Sequence, residues 1–150
     1  MKSSKRSIRL NNKIKQEKAF EADNTSLISK RKSSKLSTGE LAIATFLGAN
    51  EIQFYSEFYF KDFKVIGGRK MLFFDFYIPN YKLCIEYDGE QHYTGKYKGK
   101  KLPNQSTNDF LKNAFCKSKG LQLLRIKYTD IDNIENILTA KFDSIDPINK

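Results

Sequence analysis

The sequence predicts an α/β fold whose elements follow the order α-β-β-β-α-β-α. Three observations support this prediction: short apolar or alternating segments typical of strands, longer segments with the apolar spacing of helices, and glycines or polar turns between them. The length of 150 residues and the hydrophobic content of 39% suffice for one modest core. Because the chain has 12 Phe and 8 Tyr but no Trp, we expect phenyl and phenol rings to fill much of that core.

Residues 1–36 are predicted to form a basic arm, followed by a single domain over 37–150. The arm carries 11 Lys and Arg against 3 Asp and Glu, whereas the domain carries 16 against 14. It is poor in large apolar groups, so we expect it to be flexible or to contact DNA; a merely solubilising tail is the alternative. The overall net charge of +10 indicates an acidic partner, most commonly nucleic acid.

The first half of the domain is predicted to contain one helix and three strands. The helix begins after Ser37, because Ser37 and Glu40 have the spacing of a capping box, and Gly48 can end it. Four residues, PNYK, separate the last two strands, which favours a hairpin. The predicted strands are 52–60, 71–78 and 83–89.

The second half begins with a basic loop and continues with a helix, a strand and a closing helix. The helix over 108–120 is amphipathic and ends at Gly120; the strand covers 121–128 and the last helix 130–142. The residues expected on the inward side of the first of these helices are Phe110, Leu111, Ala114 and Phe115.

No secretory or membrane-spanning segment is predicted. The basic N-terminus lacks the apolar region of a signal peptide, and no apolar run approaches the roughly 18 residues needed to cross a bilayer. Cys84 and Cys116 form no spacing motif, which favours a reduced, intracellular protein of the cytoplasm or nucleoid.

The stretch 84–93, CIEYDGEQHY, places acids at every second position of an otherwise apolar strand. Because strand side chains alternate between faces, Glu86 and Asp88 share one face, about 6–7 Å apart. If the hairpin pairs symmetrically about PNYK, Asp75 lies opposite Glu86 with Cβ atoms about 4.5–5.5 Å apart. A slip of one residue would separate them, so this prediction depends on the register.

Three converging carboxylates suggest a divalent cation. Without one, opposed like charges would destabilise the strand pair and raise one another's pKa values. Hard oxygen ligands suit Mg²⁺ or Mn²⁺, so Asp75, Glu86 and Asp88 are the predicted metal ligands. The alternative is a solvated outer face of the sheet, on which each acid pairs with a lysine.

Several residues near this cluster are further candidates, each with a structural alternative. His92, the one histidine, suits a general base or water-positioning group, or an ordinary surface position. Glu40 is explained by the capping box and Asp109 by its place in the first helical turn, but either could point into the cluster. Lys112 lies one turn beyond Asp109. The basic loop fits phosphate binding or simple solvation, through Lys96, Lys98, Lys100 and Lys101.

The stretch 75–93, DFYIPNYKLCIEYDGEQHY, closely resembles the central motif of the very-short-patch-repair-like branch of the PD-(D/E)XK nucleases. That branch includes mismatch-type DNA nicking enzymes and some phage homing endonucleases. The element order also resembles the superfamily's restriction-endonuclease-like core (α-β-β-β-α-β), which has a mixed central sheet flanked by helices. STGE at the first helix and the later segment NDFLKNAFCKSKGLQLLRIKY match too, so the resemblance covers roughly 36–130.

The resemblance implies metal-dependent hydrolysis of a DNA phosphodiester bond, by nicking or double-strand cutting, in a chain that a phage or mobile element could encode. Asp75 and Glu86 take the two acidic motif positions, whereas Asp88 stands where the superfamily pattern has lysine. Lys112 is a candidate substitute for that lysine, or a DNA contact. The implied catalytic set is Asp75, Glu86, Asp88, His92, Glu40 and Asp109.

Two other hypotheses stay open. One is a DNA-binding or assembly protein that uses a nuclease-like fold without catalysis, since fold does not fix function. The other is an RNA nuclease. No separate base-reading module is evident, so any sequence specificity would come from loops, the arm, a homodimer or a larger complex.

Overall fold

The computed structural model describes residues 36–63, 71–90, 96–97, 100–101 and 105–148. They form an α/β domain with a four-stranded mixed sheet flanked by helices, which confirms the predicted fold class. The predicted arm lies outside the described residues except for Leu36. Of the helices in the described ranges, none is long and apolar enough to cross a membrane.

Three helices and six strands make up the described structure. Short 3-10 helices follow β2 at Pro79–Tyr81 and β6 at Tyr128–Asn133. The α-helices are α1 (Thr38–Ala49), α2 (Gln105–Lys119) and α3 (Ile134–Asp143). The strands are β1 (Tyr55–Phe58), β2 (Phe74–Ile78), β3 (Leu83–Asp88), β4 (Lys96–Tyr97), β5 (Lys100–Lys101) and β6 (Gln122–Lys127).

The helix ends follow local signals in the sequence. At the start of α1, the Ser37 side chain accepts the Glu40 N–H at 3.3 Å, while the Glu40 carboxylate accepts the Ser37 N–H at 2.7 Å. This is the predicted capping box, and it satisfies two of the amide groups that a helix start leaves unpaired. After α2, Gly120 adopts a left-handed conformation with φ of 66°, which a glycine allows without strain.

The main sheet has the strand order β1-β2-β3-β6. The first three strands are antiparallel neighbours, and α2 carries the chain across so that β6 pairs parallel to β3. In the β2–β3 hairpin Ile78 pairs with Leu83, which is the symmetric register that the sequence predicted. A separate two-stranded ribbon is formed by β4 and β5.

One face of the sheet is covered by α1 and α3. Their apolar sides meet the inward residues of β2, β3 and β6 in a single cluster. The fully or almost fully buried members of that cluster are Ile43, Leu47, Phe76, Ile78, Leu83, Ile85, Ile126, Ile134 and Leu138.

The other face is covered by α2, whose inward side differs from the prediction. Phe115 and Cys116 are buried there, and the Phe63 and Phe115 rings stack at 4.4 Å. Phe110 is 69% exposed and Ala114 is also exposed, so the expectation that both point inward is wrong. The reason is that the N-terminal end of α2 faces charged side chains of the sheet, so apolar spacing there does not mark the buried side.

Candidate active site

The predicted acids gather where the β2–β3 hairpin opens. The backbone ladder ends at the pair Phe76 and Ile85, so the next facing residues are Asp75 and Glu86. At that point the Asp75 Oδ2 accepts the Tyr87 N–H at 2.7 Å. A side-chain carboxylate therefore continues the hydrogen bonding between β2 and β3, and it ties Asp75 to the strand that carries Glu86.

Asp75 and Glu86 repel each other in a poorly hydrated environment. Burial raises the pKa of Asp75 from 3.8 to about 8, and the neighbouring Glu86 charge is the second cause of this rise. Glu86 is only 3% exposed, and its burial likewise raises its pKa despite the opposing effect of Lys112. The pair therefore tends to keep a proton near neutral pH unless a positive charge compensates both carboxylates.

Lys112 supplies positive charge to Glu86 from the α2 side. Its Nζ lies 2.8 Å and 2.9 Å from the two carboxylate oxygens of Glu86, and only 12% of its side chain is exposed. The same Nζ lies 5.4 Å from the centre of the Phe74 ring, within range of a cation–π interaction. A helix lysine thus contacts the second acid of the motif, although the strand position that the nuclease pattern assigns to lysine holds Asp88.

Arg125 of β6 is a member of the site that the sequence analysis did not identify. Its Nη1 lies 3.0 Å from the Asp88 Oδ1 and 3.3 Å from the Asp109 Oδ1, and Nη2 donates to the Asp109 carbonyl at 3.5 Å. The guanidinium therefore connects β6, β3 and α2. One signal in the sequence was available: Arg125 is the only charged residue in the apolar run LQLLRI, where a buried charge needs a partner.

The arrangement differs from the predicted three-carboxylate metal site. Asp88 is 5% exposed and is paired with Arg125. Among the residues that the structure describes, no group of three or more His, Cys, Asp or Glu is placed so that it could hold a metal ion. The Glu86 charge raises the pKa of Asp75, and the Asp88 charge in turn raises the pKa of Glu86, while Asp88 is also ion-paired with Arg125, which contacts Asp109.

Glu40 approaches the acids from the α1 side while it caps its own helix. Burial raises the pKa of Tyr87, and the Glu40 charge adds to that rise. The Glu40 charge also raises the pKa of Asp75. Gly39 permits this approach, because a Cβ at position 39 would overlap the Tyr87 ring. The capping role and the place beside the acids are therefore compatible, whereas the sequence had presented them as alternatives.

The structure describes only some of the remaining predicted site residues. His92 and Lys98 lie outside the described residues, so their predicted roles stay predictions. The ribbon of β4 and β5 pairs Lys96 with Lys101 and Tyr97 with Lys100, and the structure describes it as backbone only.

Comparisons with known proteins give one informative result. No protein-family model matches the chain, and no curated protein matches it either. Among solved structures, the catalytic domain of the homing endonuclease I-Bth0305I is similar, with a TM-score of 0.50 and 19% sequence identity. The match covers 71% of this chain and 91% of that domain. At this identity the similarity establishes a shared fold.

Proposed function

We propose that this protein is a metal-dependent DNA endonuclease that hydrolyses phosphodiester bonds, by nicking or by double-strand cutting. The observation that carries the proposal is the pair of half-buried Asp75 and buried Glu86, with the Lys112 ammonium on Glu86, at the open end of the hairpin. Two further facts support it: the fold shared with a homing endonuclease catalytic domain, and the resemblance of 75–93 to the very-short-patch-repair-like branch of the PD-(D/E)XK nucleases.

Mg²⁺ or Mn²⁺ fits the Asp75–Glu86 pair chemically. Each carboxylate is a hard oxygen ligand, and a divalent cation between them would remove the repulsion that raises the pKa of Asp75. Asp75 and Glu86 are the proposed ligands, while Asp88 is engaged with Arg125. When bound, the ion supplies Lewis-acid polarisation of the scissile phosphate and acidification of water.

Side chains of the protein would position the attacking water and neutralise negative charge on the phosphate. Lys112, already held beside Glu86, adds a positive charge that stabilises the negative charge developing on the phosphoryl oxygens. His92, from its place in the motif, orients or deprotonates the attacking water. Glu40 caps the start of α1 and adds to the negative potential of the site.

DNA is the proposed partner because the chain is strongly basic. The net charge of +10 is concentrated in the proposed arm over 1–36, and phosphate contacts from such a segment provide affinity without sequence information. The loop lysines are proposed to make further phosphate contacts. Specificity would come from a homodimer or a larger complex. The proposed loop contacts are Lys96, Lys98, Lys100 and Lys101.

Cleavage of supercoiled plasmid tests the proposal. The wild-type chain is compared with Asp75→Asn in Mg²⁺, in Mn²⁺ and in EDTA. Asp143→Asn serves as a matched control, because Asp143 is exposed at the end of α3. We expect nicked or linear product only with metal, with wild-type activity in the control and none in Asp75→Asn.

Three results would contradict the proposal. Equal metal-dependent cleavage by Asp75→Asn would place the active site elsewhere. Tight DNA binding without cleavage under any metal or DNA sequence tested would instead favour a non-catalytic DNA-binding protein. Preferential cleavage of an RNA competitor would contradict the choice of DNA as substrate and favour the RNA nuclease hypothesis.

A further inference from the structure

We infer that Arg125 is a positioning residue: its guanidinium ties Asp88 of β3 to Asp109 of α2 and thereby holds Lys112 on Glu86. The contacts of Arg125 with Asp88 and Asp109 are seen directly in the structure. Its importance for cleavage rests on the proposed function.

The contacts place Arg125 at the junction of three elements. Nη1 is within 3.3 Å of carboxylate oxygens of both Asp88 and Asp109, and Nη2 also reaches the Asp109 carbonyl at 3.5 Å. The planar guanidinium can hold two carboxylates at once, which a lysine ammonium on a flexible stem does not do with the same geometry. Arg125 also faces Glu86 in the parallel register of β3 and β6, so the tie lies directly beside this buried carboxylate.

Because Asp109 and Lys112 belong to the same helix, holding Asp109 in place also holds Lys112 in place. Asp109 and Lys112 are three residues apart, so they lie on the same side of α2, about one turn from each other. Phe110, between them in sequence, is 69% exposed, so it does not anchor this end of the helix. Leu111 is only half-buried, and the fully buried side chains of α2 begin later, at Phe115 and Cys116. The ion pairs of Asp109 and Lys112 are therefore main contacts of the N-terminal part of α2 with the sheet.

Stability alone does not account for such an arrangement. A buried or half-buried network of charges is often replaceable by apolar side chains without loss of stability. In addition, the Arg125 Nε finds no hydrogen-bond partner among the described residues, which is unfavourable for a buried donor. An apolar contact would hold the helix at a lower cost, so the charges are better explained by what they position.

The first test measures the exposure of Lys112 directly and needs no activity. Metal-free protein is treated with an amine-reactive reagent, and labelling of Lys112 is compared with that of Lys141 by mass spectrometry. Lys141 is the internal reference, because it lies on α3, on the opposite face of the sheet from α2, and its Nζ donates to the Gln122 side chain and not to any residue of the acid cluster. For Arg125→Met and Arg125→Lys we expect Lys112 labelling to rise about threefold or more while Lys141 is unchanged. Lys117→Met, an exposed charge removal on α2, should behave as wild type.

Unchanged Lys112 labelling in both Arg125 variants would overturn the inference. A parallel rise at Lys112 and Lys141 would also overturn it, because it would show general unfolding and not a local release of α2. If Arg125→Met does not fold, Asp109→Ala removes the tie from the helix side with Arg125 intact, and it should expose Lys112 in the same way.

The second test asks whether Arg125 acts through Lys112 during cleavage. We expect Arg125→Lys to lower kcat about tenfold or more with KM nearly unchanged, and the double variant with Lys112→Met to be no slower than Lys112→Met alone. Additive effects, or a higher KM with normal kcat, would refute positioning through Lys112. If the wild-type chain cleaves no DNA, the proposed function fails, and the labelling result still decides whether the tie exists.

Discussion

Replacing Asp75 with Asn should make the metal-free protein more stable at alkaline pH while it abolishes the proposed activity. An asparagine has nearly the same shape, and its Oδ1 can still accept the Tyr87 N–H that Asp75 accepts at 2.7 Å. What the substitution removes is the charge facing Glu86. The variant therefore separates the electrostatic cost of the acid pair from the packing of the hairpin.

The sign and size of the effect follow from the pKa of Asp75. The folded protein raises this pKa from 3.8 to about 8, so it binds the proton more tightly than the unfolded chain does. Stabilisation by that proton is fully present below pH 3.8 and is lost as the pH rises through about 8. Each pKa unit corresponds to about 1.4 kcal/mol, so the whole loss is on the order of 5 kcal/mol. Because the buried amide NH₂ must also lose hydration, we expect the variant to recover roughly 1–3 kcal/mol.

Urea unfolding in EDTA at pH 5 and pH 9 measures this difference. We expect the stability of Asp75→Asn relative to wild type to increase between the two pH values. Asp143→Asn should show no such increase, because Asp143 is exposed at the end of α3. A variant that is less stable than wild type at pH 9, or a difference that does not change with pH, would refute the raised pKa of Asp75.

Three further predictions follow from the site and its supports. Millimolar Mn²⁺ or Mg²⁺ should raise the melting temperature of the wild-type chain by roughly 2–5 °C and leave the Asp75→Asn variant unchanged in differential scanning fluorimetry; equal shifts in both would argue against this ligand pair. Gly39→Ala should cost about 1–3 kcal/mol in urea unfolding, because its Cβ overlaps an aromatic ring, whereas Gly48→Ala, with open space around its Cβ, should stabilise α1 by up to about 1 kcal/mol. Destabilisation of both by the same amount would mean that contact with the Tyr87 ring is not what requires glycine at position 39. Phe110→Ser should change the free energy of unfolding by less than about 0.5 kcal/mol, because Phe110 is exposed. Phe115→Ala should lower it by about 3–5 kcal/mol, because Phe115 is buried, and the same urea titrations measure both variants.

Much of the scaffold followed from signals between residues that are close in sequence. The Ser37–Glu40 capping box, the stop at Gly120 and the hairpin register each depend on a few neighbouring residues, and the structure has all three. Strand ends were less predictable: the alternation over 52–60 suggested a long strand, but β1 covers only Tyr55–Phe58. Its length is limited by its pairing with β2, which local alternation does not encode.

The positions of the acids could be predicted from nearby residues, whereas the positions of the cations that neutralise them could not. A short hairpin connection sets the register from Ile78–Leu83 to Phe76–Ile85, as predicted, and this register brings Asp75 near enough to Glu86 for their charges to interact. Their cationic neighbours come from distant segments: Lys112 is 26 residues from Glu86, and Arg125 is 37 residues from Asp88. Which cation neutralises which carboxylate depends on how α2 and β6 lie against the hairpin. Periodicity, caps and turns report only local backbone preference, whereas the exposure of Phe110 and the pairing of Asp88 with Arg125 arise from long-range packing.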